Sequence, residues 1–275
     1  GALDVLDKNK FYDINKIKSI HAVSIGSMIA VLLCLKIPIN VIIDFIINKP
    51  LKKLFSVDME NIYNMNNELG IFNKTFLEEL YYSFFGSLDL DYNMSLKQLY
   101  EYSGIELVIP SVRLNEWQIE DFSYKTHPDL SVIDATYMSS SLPFLLKPMK
   151  YKDSYYLDGG MINSYPLDRC ISCGYKNEEI LSLIARNEKP SNLLNTMDIN
   201  IFNFGWCILN NIIKSSQDDY YRKGNAKYEL SIPVKLLNMD DALNVINTKE
   251  TRIKMINEGS EFANAFLDTI KEQCE

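Results

Sequence analysis

The stretch from Ile17 to Leu35 constrains the fold of this chain more than any other. Ile17-Lys18-Ser19-Ile20-His21-Ala22-Val23 reads as a short strand, and Ser24-Ile25-Gly26 interrupts it with a tight turn. Ser27 to Leu35 is then apolar nearly all round, stopping before Pro38. A helix without a polar face belongs in an interior. A strand that turns straight into a buried helix predicts a layered α/β fold.

The rest of the sequence continues the alternation. Ala2 to Tyr12 reads as the end of a helix, and Pro38 to Ile47 as a second helix after the apolar one, stopped by Pro50. Residues 51 to 95 are the least regular part, with an aromatic cluster from Leu80 to Phe85. Ser95 to Gly104 carries a Ser N-cap, helical spacing and a terminal glycine. Ile105 to Val112 is a strand with Glu120 to Tyr124 as its partner, and Ser131 to Ser140 is a capped helix ending before Pro143. Tyr151 to Leu157 reads as a hairpin with a polar tip, delivering Asp158-Gly159-Gly160. Ile180 to Ala185 is a further strand, and helices fill the remainder up to Glu250 to Leu267. Strands alternating with helices predict a largely parallel sheet. No repeat, glycine-serine linker or low-complexity block divides residues 1–275, so one domain is expected.

Composition narrows the function classes. With 47% apolar and 23% charged residues, disorder and collagen-like structure are excluded. A chain of 275 residues buries a large core without disulfide or metal staples. Lys+Arg 28 against Asp+Glu 36 gives a net charge of −8, which argues against nucleic-acid binding through a general basic surface but leaves a lipid surface open. The cysteines, Cys34, Cys170, Cys173, Cys207 and Cys274, are scattered and odd in number, which points to a reducing compartment. Cys170 and Cys173 have CxxC spacing, but neither His21 nor His127 lies where it would complete a zinc site, so two helix-borne thiols are expected. Lys36, Pro38 and Asp44 interrupt the most apolar stretch, Ile25 to Ile47, so no spanning helix is expected.

Two places carry the chemistry. A serine at a strand-to-helix turn is exposed on a sharp bend, with the helix N-terminus lending positive potential to a developing oxyanion. The usual pattern for such an elbow is G-x-S-x-G; here it reads Ala22-Val23-Ser24-Ile25-Gly26, and Gly26 is expected to let the helix approach without a clash. Alone, the same residues are also a plain N-cap. Asp158-Gly159-Gly160 after a strand allows close backbone approach, and alone it is also an ordinary turn.

Three ordered segments link these places to a family. Ser24 to Ala30, Ala135 to Phe144 and Tyr156 to Leu167 resemble the signatures of patatin-like phospholipases, and Ile256 to Ala263 is similar to that domain's closing helix. The resemblance implies a three-layer α/β/α sandwich and a Ser–Asp dyad that cleaves acyl esters of lipids without a metal or other cofactor. Carried onto this chain, Ser24 is the nucleophile and Asp158 the general base, with Ile25, Gly26, Gly159 and Gly160 supporting the oxyanion site and the turns. Phospholipid or acylglycerol is the implied substrate, with transient contact to a lipid surface. A free aspartate, with a pKa near 3.9, is a weak base, so the role requires desolvation.

The family also carries a glycine-rich oxyanion loop with a basic residue. Nothing here matches it, and Gly1-Ala2-Leu3 resembles the residues just after that loop, so an N-terminally truncated chain is expected. The other readings are an inactive lipid- or protein-binding module and a soluble esterase or acyltransferase with the same dyad. His21 is read as a strand residue and His127 as a loop residue. Ser139-Ser140-Ser141 and Asn163 fit either the site or local capping. For the aromatic runs Tyr81 to Phe85 and Phe202 to Trp206, core packing is expected over contact with acyl chains.

Overall fold

Local signals set most element boundaries in the computed structural model, which describes residues 1–55, 68–187, 201–221, 226–234 and 244–273. The chain opens with α1 (Ala2–Lys8), β1 (Ser19–His21), α2 (Ile25–Cys34), α3 (Ile39–Asn48) and one turn of helix, α4 (Leu51–Leu54). β2 (Gly70–Phe72) and α5 (Thr75–Ser87) follow, the latter lying inside the stretch read as irregular. Phe76, Leu77, Tyr81, Phe84 and Phe85 of α5 are buried, so the aromatic cluster belongs chiefly to the core, and the Tyr81 hydroxyl donates to the Met28 carbonyl of α2 at 2.9 Å. α6 (Leu96–Ser103) starts at a reciprocal capping box between Ser95 and Gln98 and ends at Gly104, whose φ of 72° needs a residue without Cβ.

β3 (Glu106–Arg113) is the central strand, buried from Leu107 to Val112. Successive side chains of a strand face opposite ways, and β3 divides its core accordingly. Leu107 and Ile109 join the cluster built from Val31, Leu35, Leu77, Leu99 and Met138, whereas Val112 joins Leu157, Met161 and Leu209. The first face is covered by α2, α5, α6 and α7 (Val132–Ser140), and the second by α9 (Ile201–Tyr221). This is an α/β fold with helices on both sides of a sheet.

The sheet itself is mixed, which only partly meets the expectation of parallel pairing. β1 lies parallel to β3, but β4 (Gln118–Phe122) and β7 (Ser154–Asp158) lie antiparallel to it on its two edges, and β6 (Met149–Tyr151) pairs antiparallel with β7. A parallel connection needs a crossover of about a dozen residues or more. The connections at 114–117 and 152–153 are too short for that and form hairpins. Parallel pairing also joins β2 to β5 (Phe144–Leu146), and β8 (Leu181–Asn187) to β9 (Tyr228–Val234). α8 (Leu167–Ser172) precedes β8, and α10 (Lys249–Glu272) closes against α1 and β9 through Leu6, Leu230, Ala263 and Leu267. Among the described residues no helix is long and apolar enough to cross a membrane.

One detail of register positions Ser24 and Asp158. β1 ends its pairing at His21 opposite Val108, and β7 ends its pairing at Asp158 opposite Ser111. The two strands run toward each other along β3, and both chains leave the sheet over Ile109 and Pro110. Proline has no N–H to donate to a ladder. Here its carbonyl faces the gap and accepts the Ser139 hydroxyl at 2.6 Å, so no strand bond is lost.

Candidate active site

Ser24 sits where the chain leaving β1 turns into α2. Its backbone has φ 54° and ψ −133°, a conformation that L-residues other than glycine rarely adopt. The turn is closed by Gly26 N–H to the Val23 carbonyl (2.9 Å), Ser27 N–H to the Ser24 carbonyl (2.8 Å) and the Ser27 hydroxyl to that same carbonyl (2.5 Å). Ser24 N–H donates to Ser139 Oγ at 3.1 Å. Ile25 opens the helix and is 72% exposed. N–H groups of a first helical turn have no partner within the helix, and no acidic residue occupies that turn of α2.

Asp158 arrives from the opposite direction, at the end of β7. Its N–H donates to the Ser141 carbonyl (3.0 Å), and its Oδ1 accepts from Gly160 N–H (2.7 Å). Gly159 is required by contact, because a Cβ there would lie 2.3 Å from the Pro110 carbonyl oxygen. A Cβ on Gly160 would lie 3.0 Å from Asp158 Oδ1. Gly26 behaves differently from expectation. A Cβ there meets nothing within 4 Å, so this glycine does not admit a close helix approach but leaves open space beside the bend.

The two ends meet. Ser24 Oγ donates to Asp158 Oδ2 at 2.5 Å, across 134 positions of sequence. Asp158 is only 2% exposed, and burial pushes its carboxyl up to about 6, against the opposing pull of the Ser24 hydroxyl and the Gly160 amide. A carboxylate so placed can take a proton near neutral pH, and a hydroxyl that donates to it can attack an electrophile.

His21 sits among Glu106, Lys125, Asp168 and Arg169, and burial above all lowers its pKa to about 4. His127, in the loop after β4, has Nε2 3.1 Å from Glu120 Oε1. Asn163 braces the segment beyond the turn, accepting from Tyr165 N–H and donating to Asp168, each at 3.0 Å. Ser139 bonds to the backbone of Ser24 rather than to the aspartate, a link that no local pattern reveals. Cys170 lies on α8 and Cys173 caps it, both as free thiols, while Cys274 lies outside the described residues. Among the described residues no three His, Cys, Asp or Glu side chains are grouped to hold a metal. Phe204 is 47% exposed on α9, and a Cβ on its neighbour Gly205 would lie 3.2 Å from the Phe144 ring; the side chains of Phe202 and Asn203 lie outside the described residues.

A family model described as patatin-like phospholipase matches residues 1–171. The chain belongs to the patatin-like phospholipase family. Its similarity reaches two viral proteins, the probable lipid hydrolase 463L of Invertebrate iridescent virus 6 and the uncharacterized protein R571 of Acanthamoeba polyphaga mimivirus. The first is 25% identical over 169 residues, 60% of this chain and 57% of that protein. The second is 27% identical over 252 residues, 86% of this chain and 77% of that protein. Among solved structures, VipD from Legionella pneumophila superposes with a TM-score of 0.55 at 15% identity, covering 98% of this chain and 64% of VipD, a likeness of fold. The chain thus spans less than two thirds of 463L and of VipD. The patatin-like match includes both Ser24 and Asp158.

Proposed function

We propose that this chain is a lipid acyl hydrolase that cleaves carboxylic esters through an acyl-Ser24 intermediate. The observation that carries the reading is the 2.5 Å bond from Ser24 Oγ to a buried Asp158 carboxylate at a strained strand-to-helix bend. Family membership and the similarity to 463L support a lipid ester as substrate, phospholipid or acylglycerol.

The chemistry follows from the geometry. Asp158 takes the Ser24 proton as Oγ attacks the ester carbonyl carbon, and the negative charge moves to the carbonyl oxygen. The amide of Ile25 and the positive end of α2 stabilise that oxygen. The tetrahedral intermediate collapses as protonated Asp158 gives its proton to the leaving alkoxide. Water, deprotonated by the same carboxylate, then releases the fatty acid and restores Ser24. Backbone dipoles carry the charge stabilisation, and the scheme calls for no cofactor.

A fluorophosphonate probe tests the nucleophile. The full-length wild-type protein should be labelled at Ser24, and Ser24→Ala should lose labelling completely with an unchanged fold by circular dichroism. Labelling that persists in Ser24→Ala removes Ser24 from the mechanism.

A further inference from the structure

Thr136, Ser139, Ser140 and the C-cap Ser141 carry four aliphatic hydroxyls at the end of α7, and three of them bond back to carbonyls of their own helix. Thr136 donates to the Val132 carbonyl, Ser140 to Thr136 and Ser141 to Tyr137, each at 2.8 Å. Ser139 departs from this habit. Its hydroxyl donates outward to the Pro110 carbonyl at 2.6 Å, and its oxygen accepts Ser24 N–H at 3.1 Å. It is fully buried, so no water competes for either bond.

Resting on the hydrolase reading above, we infer that Ser139 is a positioning residue for the nucleophile. A backbone at φ 54° is strained for a residue with a Cβ and persists only where its surroundings over-determine it. The Ser24 carbonyl is held by Ser27 within the turn, whereas its N–H is held from the neighbouring helix α7, by Ser139. Because the Ser139 proton is committed to Pro110, its lone pair has a fixed direction. The same Pro110 carbonyl is the surface on which Gly159 rests. Ser139 therefore ties the bend bearing Ser24 to the point on β3 that fixes the turn bearing Asp158. It touches no reacting atom and acts through the backbone of Ser24.

Phosphonylation kinetics test this. Ser139→Ala should lower the saturating rate of labelling by at least about tenfold, as expected for a misplaced nucleophile. The half-saturating probe concentration should stay within about threefold of wild type, because the probe's pocket is intact. Ser140→Ala, which loses a buried hydroxyl bonded within its own helix, is the control and should label at the wild-type rate with a comparable fall in melting temperature. Should Ser139→Ala fail to fold, Ser139→Cys fills the site with a weak acceptor and should show the same loss. A saturating rate within about twofold of wild type in either folded variant overturns the inference and leaves the hydrolase reading standing. No labelling of the wild type overturns both.

Discussion

Ser24 and Asp158 face each other at 2.5 Å, yet the chain holds them by opposite means. Ser24 is placed by backbone strain at the open end of a helix, partly exposed, with space on its Gly26 side. Asp158 is placed by Gly159 pressed against β3, with the Gly160 amide on its carboxylate, and is closed off from water. The difference matches the parts proposed for them. A nucleophile needs access to substrate, whereas a carboxylate becomes a useful base only when desolvation makes its charge costly. One region is tuned by geometry and the other by environment.

That contrast can be broken at several points. Asp158→Asn removes the proton acceptor and keeps the shape, because the amide oxygen can accept Gly160 N–H and the amide nitrogen can donate to Ser24 Oγ. Ester turnover should fall by about 10²–10⁴-fold. Stability should move the other way. A carboxyl raised to about 6 in the folded chain favours folding while it is protonated, and that contribution is lost as pH rises from the unfolded value near 3.8 through about 6. The variant should therefore melt higher than wild type at pH 8, by an amount on the order of 3 kcal/mol, and the gap should close below about pH 4. An asparagine variant that melts lower than wild type at pH 8 would contradict the proposed electrostatic cost.

Gly159→Ala attacks the packing that holds the Asp158 carboxyl. With 2.3 Å from the new Cβ to the Pro110 oxygen, strand β7 or its turn must shift, and a loss of about 1–3 kcal/mol is expected by chemical denaturation. In the unaltered chain, the turnover rate should rise with pH through about 6 as Asp158 ionises, a profile readable with an ester whose own hydrolysis is pH-insensitive in that range. Gly26→Ala gives the smallest effect and the sharpest contrast with Gly159→Ala. The position is helical and open, so alanine should stabilise the chain by about 0.4–1 kcal/mol. Destabilisation there would show that the space beside the bend is not free.

The sequence reached those features whose causes are local. Ser95, Gln98 and Gly104 announce α6 because capping and left-handed termination depend on neighbours within a few residues. The apolar run after Ser24 announces a buried helix for the same reason. α5 escaped because Tyr and Phe are poor helix formers, and their burial pattern depends on α2 and α7 being there to receive it. Mixed pairing was partly legible, since the hairpin at 151–157 already implies one antiparallel pair, but which edge of β3 it joins is a long-range fact. Gly26 was misread for the same reason: whether a missing side chain admits a neighbour or leaves a void depends on what lies opposite. Ser139 is 115 positions from Ser24, and nothing near it in the chain distinguishes its hydroxyl from the two that follow.

The end-on meeting of β1 and β7 over Pro110 has a consequence for how such a chain can vary. The separation of the Ser24 and Asp158 side chains is set by the four residues from Val108 to Ser111, not by the 134 positions between them in sequence. Connections elsewhere in that interval can lengthen, shorten or drift in composition without altering the spacing of the pair.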